Sequence, residues 1–253
     1  MDSSQLADIL ALNNDVLQAI IVIFGSAVVL FYSNRLRRSA VTRAFILLIS
    51  FVVLVYLSEL LVNRIVETAS AELWLRIGWI GIAMIPAAQF HLSSELLAST
   101  GKLPNYRRFL VPGAYILGGL FAALAMFSDL VAGEVALTSQ GIRLSTGPLF
   151  PVFTLYFWVV SASGIYNVWR ARQRCMTKTS RRRMTNTFIA VLAAPLSVFP
   201  YMMLVRNPGM EVPIWLWLLL IFGNIVVGVM FAVLTNELAY FGATSPDRVV
   251  RVR

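Results

Sequence analysis

Seven long runs without a charged side chain divide the chain: Val16–Asn34, Ala44–Ser58, Ile77–Ser94, Phe109–Ser128, Leu144–Trp169, Met184–Val205 and Val212–Asn236. Most approach the ~20 residues that a helix needs to cross ~30 Å of hydrocarbon. The second and shortest run extends through Glu59 to Val62. Placing interfacial residues at the ends puts the membrane segments at 16–34, 44–62, 74–96, 109–128, 148–169, 184–205 and 213–237, with 238–253 as a basic tail or linker. The fold class this predicts is an all-α membrane protein, a seven-transmembrane-helix bundle forming one domain over 1–253.

The charges fix an expected orientation. Of the 21 Lys and Arg residues, all but Arg64, Arg76, Arg143 and Arg206 fall in alternate loops or at the end of the chain. The tendency of basic loops to stay inside then puts the N-terminus outside and the C-terminus in the cytoplasm. The net charge of +9 accordingly points to anionic lipid headgroups as partners and not to nucleic acid. The first fifteen residues hold three Asp and no Lys or Arg, which is no start for a cleaved signal peptide, so span one is expected to be retained. Composition agrees, because 58% hydrophobic and 13% charged residues is too apolar for a soluble domain.

Several chemistries lack their residues. Retinal needs a mid-membrane lysine, and Lys102 and Lys178 both fall in inner loops. Bis-histidine haem and a histidine-rich zinc site fail on a single histidine, His91. Cys175 stands alone in a basic loop, so neither an intramolecular disulfide nor a thiolate metal cluster is available, while palmitoylation stays open. There is no nucleophile elbow or phosphate-binding loop. The chain is expected to be no enzyme and to hold no cofactor.

Polar residues at membrane depth are costly and therefore mark candidate sites. Glu59 lies roughly 24 Å from Arg43 along its helix, near the outer surface, where Arg64 or Arg76 would offset its charge. With Trp79 it suggests an outward-opening pocket lined by Glu59, Arg76 and Trp79. His91 and Glu95, one turn apart, share a helix face near the inner interface. Gln89 lies just above them, and Asn224, Tyr156 and Ser197 sit nearer mid-depth, where they would meet in the bundle centre. The candidate ligand-binding set is Glu59, Arg76, Trp79, Gln89, His91 and Asn224. Trp74, Trp79, Trp215 and Trp217 are expected in an outer aromatic belt, and Pro86, Pro195 and Pro200 to bend spans three and six. The longest outer loop, Asp129 to about Ser145, forms either a solvated connector or a small lid or hairpin.

The passage Leu73-Trp-Leu-Arg-Ile-Gly-Trp-Ile-Gly-Ile-Ala-Met-Ile-Pro-Ala-Ala-Gln-Phe-His91 resembles the third helix of the seven-helix sensor region at the N-terminus of some bacterial histidine kinases and diguanylate cyclases. The stretch from Tyr156 through Tyr166 and Trp169 to Arg183, and the exit Leu238-Ala-Tyr-Phe-Gly-Ala-Thr-Ser-Pro-Asp-Arg248, resemble it too. The resemblance implies a multi-pass protein of the bacterial cytoplasmic membrane. It also implies that a signal passes through the last helix to a cytoplasmic output, in cis or as a partner in trans, and that the protein is a dimer. The phospho-acceptor helix and ATP-binding boxes of a kinase are missing from this sequence. Two other readings stay open at this point: a small-solute transporter or channel, and a non-catalytic subunit of a larger membrane complex.

Overall fold

The computed structural model describes residues 3–35, 39–65, 67–101, 107–138, 141–191 and 213–243. Helices dominate: α1 Ser3–Arg35, α2 Ala40–Val62, α3 Thr68–Ser99, α4 Arg107–Phe127 and α5 Phe150–Arg174, followed by helical residues 178–191 as α6, and α7 Ile214–Ala243. Between α4 and α5 lies an antiparallel hairpin of β1 Ala132–Thr138 and β2 Gly141–Thr146. Among the described residues, six helices (α1 to α5 and α7) are long and apolar enough to cross a membrane. The far half of span six, with Pro195, Ser197 and Pro200, lies outside the described residues.

The helices are apolar on the outside as well as in the core, unlike those of a water-soluble bundle. On α7 the exposed large residues Trp215, Leu218, Phe222, Ile225 and Val229 recur every three or four positions and form one apolar stripe. Exposed Val152, Leu155, Val159 and Tyr166 do the same on α5. The interior meanwhile holds Asn14, Gln18, Gln89, Asn167, Asn224 and Glu237. A stripe of that kind suits hydrocarbon, and the interior polar groups find partners across helices.

α3 is the hub, packed on α2, α4 and α5, while α1 packs on α2 and α7. The α2–α3 approach is close because Gly81 carries no Cβ: one placed there would sit 2.6 Å from the Phe51 carbonyl oxygen and 2.6 Å from Val55 Cγ2. Gly118 plays the same part on α4, where a Cβ would come within 2.9 Å of the Ala83 carbonyl oxygen on α3. α3 runs unbroken through Pro86, which is buried.

Cross-helix hydrogen bonds tie the bundle. The Tyr156 hydroxyl on α5 donates to the carbonyl of Ala114 on α4 at 3.0 Å, and Asn167 donates to Ser93 and Ser94 on α3, each at 3.3 Å. α7 is held to α1 at two heights, by Asn224 Nδ2 donating to Asn14 Oδ1 at 2.8 Å and by the Tyr32 hydroxyl donating to the Thr235 carbonyl at 2.9 Å. Among the described residues Asn224 and Tyr156 do not bond to each other: Tyr156 donates to α4 and α3, and Asn224 to α1; Ser197 is not among the described residues.

The first and last helices run beyond the expected membrane segments. α1 begins by Ser3 and not near residue 16, because Asn14 and Gln18 turn inward and keep the polar first turns on the bundle. The uncharged run that starts at Leu144 is divided, with Leu144 paired to Val135 in β2 and α5 beginning at Phe150, close to the expected segment start at 148. The last helix continues to Ala243, past the expected end at 237.

Candidate functional site

The hairpin end of the bundle contains a cavity of ≈ 90 Å³, walled by α1 (Asn14, Gln18), α2 (Val55, Ser58, Glu59, Val62, with Asn63 just beyond), α3 (Leu75, Gly78, Trp79, Ile82), β2 (Ile142, Arg143, Leu144) and α7 (Trp217, Leu220). Asn63 is exposed, so the cavity reaches the surface there. Room for one water takes only about 10–15 Å³, so this space takes several waters or a small organic ion.

Each wall has a local cause. Glu59 stands one turn from the end of α2 and shares its face with Val55 and Val62. Gly78 leaves the facing side of α3 open, since a Cβ there would collide with the Ser58 hydroxyl. The hairpin is pinned at its base by Gly147 N–H donating to the Val131 carbonyl at 3.0 Å and Leu149 N–H to the Leu130 carbonyl at 2.7 Å. Gly147 is required at this base, because a Cβ would run into the carbonyls of Asp129 and Leu130. The register then pairs Ala136 with Arg143 and holds β2 against α3, which carries Arg143 over the end of α2.

The cavity holds one acid and one base that are not joined. Among the described residues no ion pair closer than 4.0 Å links Glu59 to Arg143, and neither side chain has a hydrogen-bond partner. They still feel each other: burial pulls the Arg143 guanidinium below its ordinary range, and the Glu59 charge pulls it partly back. Arginine stays protonated under such a shift, so the site keeps its positive charge. A third uncommitted group is Trp217, 9% exposed, whose indole Nε1–H is buried without an acceptor. Most buried donors in folded chains are satisfied. Asn63 is committed, its amide donating to Asp15 at 3.0 Å.

Of the expected pocket residues Glu59, Arg76 and Trp79, the structure brings Glu59 and Trp79 together in the cavity wall. Arg76 lies outside the cavity wall. Its Nε donates to Glu72 at 2.8 Å and its terminal nitrogens to Asp129 at 2.6 Å and to the carbonyls of Ala125 and Ser128 at 2.9 and 3.3 Å. This clamp ties α3 to the end of α4 and leaves Arg143, not Arg64 or Arg76, as the cation whose field reaches Glu59. Trp79 and Trp217 also leave the expected aromatic belt. They face inward at 3% and 9% exposure while Trp215, two residues and about 200° away from Trp217, is exposed. Trp79 packs edge-on against Phe153 at 5.4 Å between ring centroids.

The remaining candidates are dispersed. Gln89 Nε2 donates to the Val191 carbonyl of α6 at 3.1 Å. His91 Nδ1 and the Tyr115 hydroxyl share a 3.2 Å hydrogen bond, and His91 Nε2 lies 3.7 Å from Glu95, so the expected shared face is present. Asn224 lies one turn below Leu220, outside the cavity wall, and donates to the wall residue Asn14. Cys175 is half-buried, with burial raising its thiol above the ordinary range, which leaves little reactive thiolate at neutral pH. Among the described residues no cluster of three His, Cys, Asp or Glu could hold a metal ion.

Sequence reading missed Asn14, Gln18, Arg143 and Trp217 as wall residues. Asn14 and Gln18 are four apart and therefore on one helix face, which was a usable signal. Arg143 was one of only four cations on its side of the chain, but nothing local to it names Glu59, 84 positions earlier, as the acid it faces.

Residues 16–215 match the family model described as the N-terminal 7TM region of histidine kinase, which covers most of the chain and every wall residue of the cavity except Asn14, Trp217 and Leu220. A comparison with curated proteins finds no match.

Proposed function

We propose that this chain, which belongs to the family of N-terminal 7TM regions of histidine kinases, receives a signal in the cavity at its hairpin end and relays it through α7 to a cytoplasmic output. As a multi-pass membrane protein of that family it is a sensory input region. The orientation that serves this reading puts the hairpin outside and the basic loops on anionic headgroups of the cytoplasmic leaflet, as the distribution of Lys and Arg favours. The proposed count is seven crossings, the number that the family description carries.

The observation that carries the reading is the place of α7. Trp217 and Leu220 wall the cavity, and the same helix runs on to Ala243, which is ~39 Å from Trp217 at 1.5 Å per residue. α7 is bonded to α1 at Asn224 and Thr235, and Asn14 and Gln18 of α1 are also wall residues, so the cavity lies at the seam between the α1–α7 pair and α2–α3. Whatever fits one spacing of that seam better than another biases two packings by its difference in affinity. Near its far end α7 accepts a 2.8 Å hydrogen bond at Glu237 from Asn186 on α6, a contact that sliding of α7 would alter.

The test joins a histidine-kinase output to the chain and compares phosphorylation at equal membrane levels. Glu59→Gln and Arg143→Gln are each expected to lock or shift the output, whereas Gly113→Ala, at a site open to its surroundings, leaves it unchanged. Output identical to wild type in both cavity variants would overturn the reading.

A further inference from the structure

The groups left uncommitted in the cavity are specific enough to name a ligand class. Glu59 offers an acceptor of negative charge, Arg143 a planar set of donors with positive charge, and Trp217 one further N–H. The three residues wall the same ≈ 90 Å³ of space, and Glu59 and Arg143 are too far apart to neutralise each other directly.

A ligand carrying a single charge satisfies one of the two side chains and brings that charge toward its like on the other. A purely apolar ligand would leave both uncompensated as it displaced water, which is the costlier outcome. A molecule carrying a cationic nitrogen and a carboxylate a few bonds apart satisfies both at once. Its carboxylate meets the Arg143 fork, the geometry for which guanidinium is suited, and accepts from Trp217 Nε1–H. Its cationic nitrogen meets Glu59, with the neighbouring Trp79 and Trp217 rings as apolar and π surface.

We infer that the cavity between Glu59 of α2, Arg143 of β2 and Trp217 of α7 binds a small zwitterion of amino-acid or betaine size. The inference rests on the reading of this cavity as the input site and gives it a substrate class.

Calorimetric titration of the whole chain in lipid nanodiscs tests it, with glycine, alanine and glycine betaine as probes and propionate and propylammonium as single-charge controls. At least one zwitterion is expected to bind saturably, with both controls weaker by about tenfold or more. Glu59→Gln and Arg143→Gln should each weaken the zwitterion by about tenfold. Trp217→Phe, which keeps the ring and removes the N–H, should weaken it by less. Retained thermal unfolding of each variant separates loss of the site from loss of the fold. Binding by none of the three zwitterions, or equal binding of propionate or propylammonium, overturns the inference. The kinase-output comparison separates the two readings. If output responds to Glu59→Gln and Arg143→Gln while no zwitterion binds, the ligand class fails and the input site stands. If zwitterions bind with the stated pattern while output ignores both substitutions, the ligand class stands and the input reading fails.

Discussion

Arg76 on α3 and Arg143 on β2 occupy the same end of the bundle, each with acidic side chains nearby, yet their surroundings differ in kind. Arg76 is committed: two carboxylates and two backbone carbonyls take four of its five N–H donors, and it bridges α3 to the segment that leads into the hairpin. Arg143 has no hydrogen-bond partner among the described residues and faces Glu59 across a cavity. Groups whose contacts are complete hold a structure in one arrangement. Groups whose contacts are incomplete keep interaction free energy available for something that arrives later, and that is the difference between a clamp and a receptor site.

Substitutions that separate stability from signalling sharpen this contrast. The largest stability effect is expected at the clamp: Arg76→Ala should cost about 2 kcal/mol, from lost charge-assisted bonds moderated by the exposure of Asp129. Thermal unfolding in mild detergent reads this, and a loss no greater than that of a surface variant would place Arg76 outside the clamp role. Next comes the α1–α7 tie, where Asn224→Ala should cost about 0.6 kcal/mol, the average for an interhelical bond in a membrane. Because Asn14 is also a cavity wall residue, the same variant should weaken coupling of the cavity to α7 more than it weakens the fold. The smallest stability effects belong to the open site. Glu59→Gln and Arg143→Gln each remove a charge that has no bonded partner, so unfolding should move by about 0.5 kcal/mol or less, or rise. A cost as large as that of Arg76→Ala would make the cavity a second clamp.

Orientation has its own check. In a Cys175→Ser background, Glu134→Cys places a thiol on the exposed side of β1. A membrane-impermeant maleimide added to intact cells should label it; labelling only after lysis would put the hairpin in the cytoplasm and reverse the direction of signalling.

The membrane helices were legible because uncharged runs report hydrocarbon directly, and Glu59 and Trp79 were legible because an acid and a large ring near a helix end are conspicuous there. The partner of Glu59 was not, since Arg143 arrives by way of a hairpin whose register is set by pairing and by Gly147, not by a local hydrophobic period. Trp217 reads as an interface anchor in the sequence because a tryptophan near a span's start looks the same whichever way it points; only the phase of α7 against α1 and α2 turns it inward. Asn14 and Gln18 were hidden by the acidic residues around them, which made the first turns of α1 look external.

The claim that cavity charge is coupled to α7 is tested most directly by distance measurement between spin labels. Labels at Ala162 on α5 and Ala232 on α7, both exposed positions, in the Cys175→Ser background report how α7 sits against the bundle. The Ala162–Ala232 distance distribution in nanodiscs should differ between wild type and both Glu59→Gln and Arg143→Gln, with Gly113→Ala matching wild type. Superimposable distributions in all four proteins would mean that the cavity and α7 are not coupled.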